Sequence, residues 1–391
     1  MAPMEPVKKP PYRTPKAVSE AIKHLIQDKK VCELGCAEGD NLVFMSQYAA
    51  STVGFEYMQR RYEVAQRRGL NVVTGDYYKD PIPDADVYYV WPDDGEKDTE
   101  YLVQKLLTKR DFNGHIIVGA DPGFPPEIPA HKRIERYGTL IEVPYNEGPG
   151  HRENGTFRVV VINKATLPQQ CTLLLSSPRA GSSCTTGCFK LCDVSLGKSE
   201  TTVKDQFNKK GYFENQSILS FNERVFAAIG TNIFSASPLN ANQISKSLQF
   251  KDELVSILSK EYEGDPFFMI KDPRINILQE LYLAAFRHLG IKINVAILRR
   301  DQASAAKSMN RMAGISIPHA ESVYNAHYQQ AKTLADKTNG YYYEIMFDQL
   351  LKDPNSLLKD ACHNLEIPYG IGRHNQEAIT QFVERGLVNF S

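Results

Sequence analysis

The sequence predicts an α/β protein built as two successive units, each a sheet covered by helices, and three observations predict it. The chain has 391 residues, more than a single hydrophobic core usually serves. Residues 31–162 alternate short apolar runs with amphipathic stretches of helical period, the pattern of a mostly parallel sheet. After a short polar segment, NKATLPQQC at 163–171, the order of strand then helix starts afresh.

In the first unit, 1–166, strands are predicted near Val31 to Leu34, Thr52 to Glu56, Asn71 to Thr74, Asp86 to Val90, His115 to Gly119, Thr139 to Val143 and Thr156 to Ile162. Helices fall between them, notably Asn41 to Tyr48, Met58 to Arg67 and Thr99 to Lys109. No helix-length segment separates the last two strands, so they should pair as an antiparallel hairpin at the sheet edge. The second unit, 170–391, opens with a strand at Thr172 to Ser176, a phosphate-type loop and a helix. Long helices follow, then strands at Phe267 to Ile270 and Lys292 to Leu298, and helices to the end.

Composition narrows the function classes. Hydrophobic residues at 42% and charged residues at 24% exclude a disordered or fibrous chain. Basic and acidic side chains balance at 46 each, so no broad basic field exists to draw nucleic acid, which is not expected as a partner. No apolar run reaches the roughly 20 residues of a membrane helix, and Met1 to Arg13 is basic and proline-rich without the apolar core of a signal peptide. A cytoplasmic protein that does not engage a membrane is expected. The seven cysteines read as reduced thiols. Cys184, Cys188 and Cys192 follow at four-residue steps on one helical face and are read as small core side chains, with no metal predicted.

In the second unit an apolar strand runs directly into Pro178, Arg179, Ala180, Gly181, Ser182, Ser183 and Cys184, which open a helix. Small residues between strand and helix expose backbone N–H groups at the positive helix end, which suits a phosphate or sulfate and equally suits simple capping. The Gly-Lys-Ser/Thr ending of a nucleoside-triphosphate loop is missing. Further on, a strand ends in Arg299 and Arg300, and Ser308 stands eight residues after Arg300 on the next helix. Such a pair can grip one phosphate by charge and by hydroxyl donation.

These motifs, with KGYFENQSILSFNERVFAAIG, MIKDPRINIL and YEIMFDQLLKDPNSLL, resemble the sulfotransferases that use 3'-phosphoadenosine-5'-phosphosulfate (PAPS), especially bacterial and viral ones with Gly-aromatic-aromatic-Glu and Lys-Asp-Pro-Arg segments. The resemblance covers nearly all of the second half. It implies a P-loop-like parallel-sheet domain in which residues 178–184 hold the 5'-phosphosulfate and Arg300 and Ser308 the 3'-phosphate. Sulfuryl transfer spreads charge over peripheral oxygens in a loose transition state, so it needs cations and a base for the acceptor. Arg179 and Lys271 are the candidate cations, Lys271 having a surface ion pair with Asp272 as its alternative role. Glu214 is the candidate base, with Asp272 and with His319, read as a loop residue, as alternatives.

In the first unit, VCELGCAEGDN places Glu33 at a strand end and Gly35, Gly39 and Asp40 before a helix. Glu56 ends the next strand, spaced to hold ribose hydroxyls, and Asp76 follows the third, beside an adenine. Together these residues resemble the S-adenosylmethionine (SAM) pocket of class I methyltransferases over about residues 15–165. The resemblance implies a Rossmann-like sheet with SAM held by Glu33, Gly35, Gly39, Glu56 and Asp76. A dinucleotide site would show Gly-x-Gly-x-x-Gly. The segment Val90-Trp91-Pro92-Asp93-Asp94 differs from the Asn-Pro-Pro-Tyr of amino-methylating enzymes, and Asp94 and Asp121 read as two solvated loop aspartates, with a divalent-metal pair as the alternative. The expectation is a bifunctional transferase acting on a hydroxyl acceptor, either a small molecule or a glycan. The alternative is a sulfotransferase carrying a non-catalytic SAM-binding or degenerate regulatory module.

Overall fold

The computed structural model describes residues 14–90, 96–109, 111–120, 134–145, 155–201, 211–368 and 373–387. The chain divides into two compact units, Met1–Leu167 and Pro168–Ser391.

The first unit runs α1 (Lys16–Ile26), β1 (Lys30–Leu34), α2 (Asp40–Met45), β2 (Ser51–Glu56), α3 (Gln59–Arg67), β3 (Val72–Thr74), β4 (Val87–Val90), α4 (Glu96–Thr108), β5 (His115–Ala120), β6 (Thr139–Tyr145) and β7 (Gly155–Asn163). Its seven strands lie in the order β3-β2-β1-β4-β5-β7-β6, a doubly wound, Rossmann-like mixed sheet. β7 runs antiparallel to both β5 and β6, so the last two strands form the expected edge hairpin. β1 and β4 are buried along nearly their whole length, as strands covered on both faces must be. The chain leaves β1 toward β2 on one side and returns through β4 on the other, which makes the ends of β1 and β4 the switch point where such sheets open a crevice. α1 adds a helix to those expected. Val18, Ile22 and Ile26, four residues apart, bury one face of it, a spacing that the sequence carries in plain view.

The second unit runs β8 (Gln170–Ser176), α5 (Ser182–Lys190), a small hairpin of β9 (Glu200–Thr201) and β10 (Glu214–Asn215), α6 (Gln216–Ile229), α7 (Ala241–Leu248), α8 (Lys251–Glu261), β11 (Phe267–Ile270), α9 (Gln279–Leu289), β12 (Lys292–Arg299), α10 (Gln302–Ala313), α11 (Ile317–Lys337), β13 (Tyr342–Met346), α12 (Phe347–Lys352), α13 (Pro354–Asn364) and α14 (Arg373–Leu387). β8 is buried at every position and sits between β11 and β12 in a four-stranded sheet ordered β11-β8-β12-β13. All three pairings are parallel, so the loops after β8, β11 and β12 leave by one edge. β13 corrects the expectation of helices to the end. Its five residues form an edge strand with half-exposed tyrosines, too short and too polar to stand out between two helices.

Three local expectations are also corrected. α2 stops at Met45, short of Tyr48. α5 ends at Lys190, so Cys192 lies beyond the helix with its thiol directed at the Cys188 carbonyl, although all seven cysteines are buried. His319 is in the first turn of α11, because Pro318 is well placed at a helix start and does not break one. Among the described residues no helix is long and apolar enough to cross a membrane.

Candidate functional site

The loop after β8 turns sharply. Arg179 has φ 64° and Gly181, which precedes α5, has φ 97°. Gly181 is required twice over, since a Cβ there would also stand 2.4 Å from the ring of Phe347. That ring, at the junction of β13 and α12, is buried, and the Arg300 guanidinium lies 5.5 Å from its centroid. Phe347 therefore supports both the loop and the arginine, a role invisible in the isolated FDQLL segment.

Three residues predicted for this site converge, although Arg179 is separated from the other two by more than 120 positions. The Nε of Arg179 donates to Ser308 Oγ at 3.0 Å, and Nη1 of Arg300 donates to the Arg179 carbonyl at 3.2 Å. Burial and the neighbouring Arg179 cation both lower the pKa of Arg300. The backbone of Arg300 is braced by Tyr324, whose hydroxyl donates to the Arg300 carbonyl at 2.6 Å and accepts from its N–H. Arg299 is turned to other work. It pairs with Glu344 at 3.1 Å and lies over the ring of Tyr328. Of two adjacent arginines, only Arg300 faces the loop.

Lys271 and Glu214 form a second pair. Nζ of Lys271 donates to Oε1 of Glu214 at 2.7 Å, with side chains 2% and 12% exposed. This corrects the expected alternative of a surface pair between Lys271 and Asp272. Asp272 instead accepts from the Arg274 backbone and guanidinium at 2.9 and 3.0 Å and from Asn222 at 3.0 Å. It holds its own segment together and is fully buried. β11 ends with Ile270 level with Leu173, whereas β12 continues level with Ser176, so Lys271 leaves the sheet lower than the loop and Arg300. Arg274 is not among the expected site residues. It pairs with Asp272 and Glu223, and charge from Glu214 also reaches it. His319, exposed, has Nε2 at 3.1 Å from the Phe234 carbonyl.

Beneath the strand ends lies a buried histidine. His327 Nε2 is 2.8 Å from the Ile233 carbonyl, which can only accept, so Nδ1 is bare and accepts from Asn276 Nδ2 at 3.0 Å. Asn276 also donates to the Ser176 carbonyl, tying the Lys271 segment to the last residue of β8. Burial depresses the His327 pKa to about 4, against the opposing pull of the Ile233 carbonyl and the Asp272 charge. The unfolded chain takes up this proton near the ordinary pKa of 6.5, and the native chain not until about 4. His327 should therefore cost stability as pH falls from 6.5 to 4, by about 3 kcal/mol in all, and contribute no slope above 6.5. Denaturant titrations across that range should show a steeper loss for the wild type than for His327→Gln. Parallel curves would contradict the neutral assignment.

In the first unit, the loop between β1 and α2 crosses the switch point. Gly39 has φ 84°, and a Cβ there would stand 2.2 Å from Leu70. Glu33 is buried, with Oε1 accepting from Asn41 at 2.7 Å. Asn41 in turn accepts from the Thr14 N–H, and the Thr14 and Tyr89 hydroxyls are 2.8 Å apart, so the network reaches β4. The buried Glu56 carboxylate accepts from the N–H groups of Ala37 and Met58, each at 2.8 Å. It thereby closes the loop of Gly35 and Gly39 against the end of β2. Next to it, Tyr57 and Met58 are 67% and 48% exposed, large apolar side chains that are not among the expected site residues. Asp76 accepts from the Tyr78 N–H at 2.9 Å and pairs with Lys79, so it shapes its own turn. Asp94, Asp121 and the Trp91-Pro92-Asp93 segment lie outside the described residues. Among the described residues no group of His, Cys, Asp and Glu could hold a metal ion.

No protein-family model matches the chain, and no curated protein does. Several solved structures are similar to part of it. An RNA methyltransferase from Salinibacter ruber, in complex with S-adenosyl-L-homocysteine, is 14% identical over 39% of this chain and 93% of that one, with a TM-score of 0.27. Precorrin-6y C5,15-methyltransferase from Geobacter metallireducens is 12% identical over 38% and 86%, with a TM-score of 0.29. A TehB-like SAM-dependent methyltransferase from Corynebacterium glutamicum is 18% identical over 37% and 85%, with a TM-score of 0.26. Scores of this size mark a partial likeness and assign neither a substrate nor an activity.

Proposed function

We propose that the chain is a two-unit transferase: residues 168–391 move a sulfuryl group from PAPS to a hydroxyl acceptor, and the first unit binds SAM for methyl transfer. The convergence of Arg179, Ser308 and Arg300 carries the reading for the second unit. Two guanidinium groups at the mouth of a strand-to-helix turn are a donor set suited to a phosphate or sulfate, and a bound anion would offset the burial and the Arg179 repulsion that together lower the Arg300 pKa. Glycine at 181 lets the turn pack directly on the Phe347 ring, which fixes its shape.

When bound, PAPS supplies the activated sulfuryl group. Arg179 orients that group and compensates charge on the departing oxygens. Lys271 and Glu214 act as a pair beside it. Oε1 of Glu214 accepts from Lys271, and Oε2 is the oxygen available to take the acceptor's hydroxyl proton. Asp272 is committed to Arg274 and Asn222, which favours Glu214 as the base. A small molecule or a glycan is the acceptor class.

Titration calorimetry with adenosine 3',5'-bisphosphate and with AMP tests the phosphate assignment. Arg300→Ala should weaken the bisphosphate by about 1.5–3 kcal/mol and Ser308→Ala by less, with a much smaller loss for AMP that comes through the contact each makes with Arg179. Equal losses for both nucleotides would sink the assignment.

The SAM reading rests on the Glu56 arrangement. A carboxylate at the end of the second strand, held by the Ala37 and Met58 amides, is the group that a ribose diol would meet there. Exposed Tyr57 and Met58 stand where they can cover the attached base. Glu56→Ala should lose both the diol contact and the loop closure, lowering SAM affinity by about 2–3 kcal/mol while sulfuryl transfer survives. Unchanged affinity in a folded variant would place the nucleoside elsewhere. SAM binding without methyl transfer to any screened acceptor would favour the non-catalytic module instead.

A further inference from the structure

We infer that Glu261, at the end of α8, is the positioning residue for Glu214, an inference that rests on the sulfotransferase reading. Glu261 is 4% exposed, and no cation lies within ion-pair distance of it among the described residues. Its carboxylate is instead saturated by neutral donors. Oε1 accepts from the hydroxyls of Ser199 at 2.6 Å and Ser217 at 2.8 Å, and Oε2 from the Ser199 N–H and the Asn215 amide, both at 2.7 Å. Each oxygen thus holds two hydrogen bonds, as many as it can well accept.

The donors sit on both sides of the candidate base. Asn215 and Ser217 are the first and third residues after Glu214, and Ser199 precedes the strand that pairs with it. Asn215 also caps α6, its Oδ1 accepting from the Ile218 N–H at 3.1 Å. One buried charge therefore fixes the hairpin, the start of α6 and the direction in which Glu214 leaves the backbone. On the other side Phe213, at φ 52°, packs its ring edge against Phe382 and sits in the core under α5, the helix that follows the phosphate loop. Glu214 is held between these anchors while its side chain reaches Lys271.

Burial raises the Glu261 pKa, and the hydrogen bonds from Ser199, Asn215 and Ser217 outweigh it, leaving a value of about 2. The anchor thus keeps its charge throughout the range in which an enzyme of this kind would work. Glu261→Gln keeps the shape but removes the charge: its amide can donate to the Ser199 and Ser217 hydroxyls only if these stop donating to it, and the charge-assisted strength of all four bonds is lost.

The test is a double-mutant cycle read in sulfuryl transfer, with amide exchange as a second measurement. Glu261→Gln should lower kcat about tenfold or more, the scale of a modest misplacement of a reacting group, with the KM for PAPS little changed. In the Glu214→Gln background the same substitution should cost little further, because a positioning residue has nothing left to position. Amides of Gln216 to Ile218 should exchange faster. Ser217→Ala, which removes a single donor and is the milder variant, should show the same pattern at smaller size. Losses that multiply fully in the double variant, or unchanged kcat and exchange in Glu261→Gln, would overturn the positioning role. A wild type that transfers no sulfuryl group to any acceptor would overturn the sulfotransferase reading beneath it, and with it this inference.

Discussion

Arg179→Ala is expected to lower kcat for sulfuryl transfer roughly a hundredfold or more, while PAPS binding weakens much less. The split follows from geometry. The Arg179 guanidinium is already held by Ser308 before any ligand arrives, so little side-chain freedom remains to be lost, and its charge acts most on oxygens that gain charge as the transferred group departs. Two controls separate this from structural damage. Arg179 sits at φ 64°, where glycine is comfortable and alanine is not, so Arg179→Gly tests the side chain without backbone strain. Its loss should match that of alanine. Arg179→Lys keeps a charge but has no planar fork, and it should recover only part of the rate because a lysine cannot both donate to Ser308 and face the departing oxygens. Full activity in Arg179→Gly would remove Arg179 from the chemistry and leave it as a turn residue.

How far this site could be seen in advance depends on where each part of it is encoded. β8 and β12 are near-continuous apolar runs, because both faces of their sheet are covered, and the residues that follow them are therefore assigned to one edge as soon as the strands are recognised. That is why Arg179 and Arg300 were legible. β13 was not, since an edge strand faces water on one side and its YYEIM carries no long apolar run. With it went Phe347, whose ring beneath Gly181 and Arg300 depends on β13 lying next to β12. In the first unit the seven strands and the closing hairpin followed from alternating runs and one missing helix, but neither the order of the sheet nor the Glu33–Asn41–Thr14–Tyr89 network did, because the network joins residues by side-chain reach across the switch point. Sequence periodicity reports which face of an element is buried. It does not report which polar groups meet once that face is packed.

The pairing of Lys271 with Glu214 is the clearest case, for it joins positions 57 residues apart and changes what substitution should do. Read separately, a cation and a base would give independent losses that multiply. As a buried ion pair they should not. Glu214→Gln keeps the shape and removes proton acceptance, and is expected to lower kcat about a hundredfold with both Michaelis constants little altered. Lys271→Met removes the partner and leaves a carboxylate poorly compensated, which costs about 3–5 kcal/mol when one member of a buried pair is removed. Its kcat, measured on the folded fraction, should fall by a similar factor. The double variant Lys271→Met/Glu214→Gln leaves no buried unpaired charge, so it should recover much of the stability lost by Lys271→Met alone, while kcat falls little below that of either single variant. Thermal melts and steady-state rates on the four proteins decide the matter. Rates that multiply and stabilities that add would mean that the two side chains act apart, with the pair as a resting contact that the acceptor breaks.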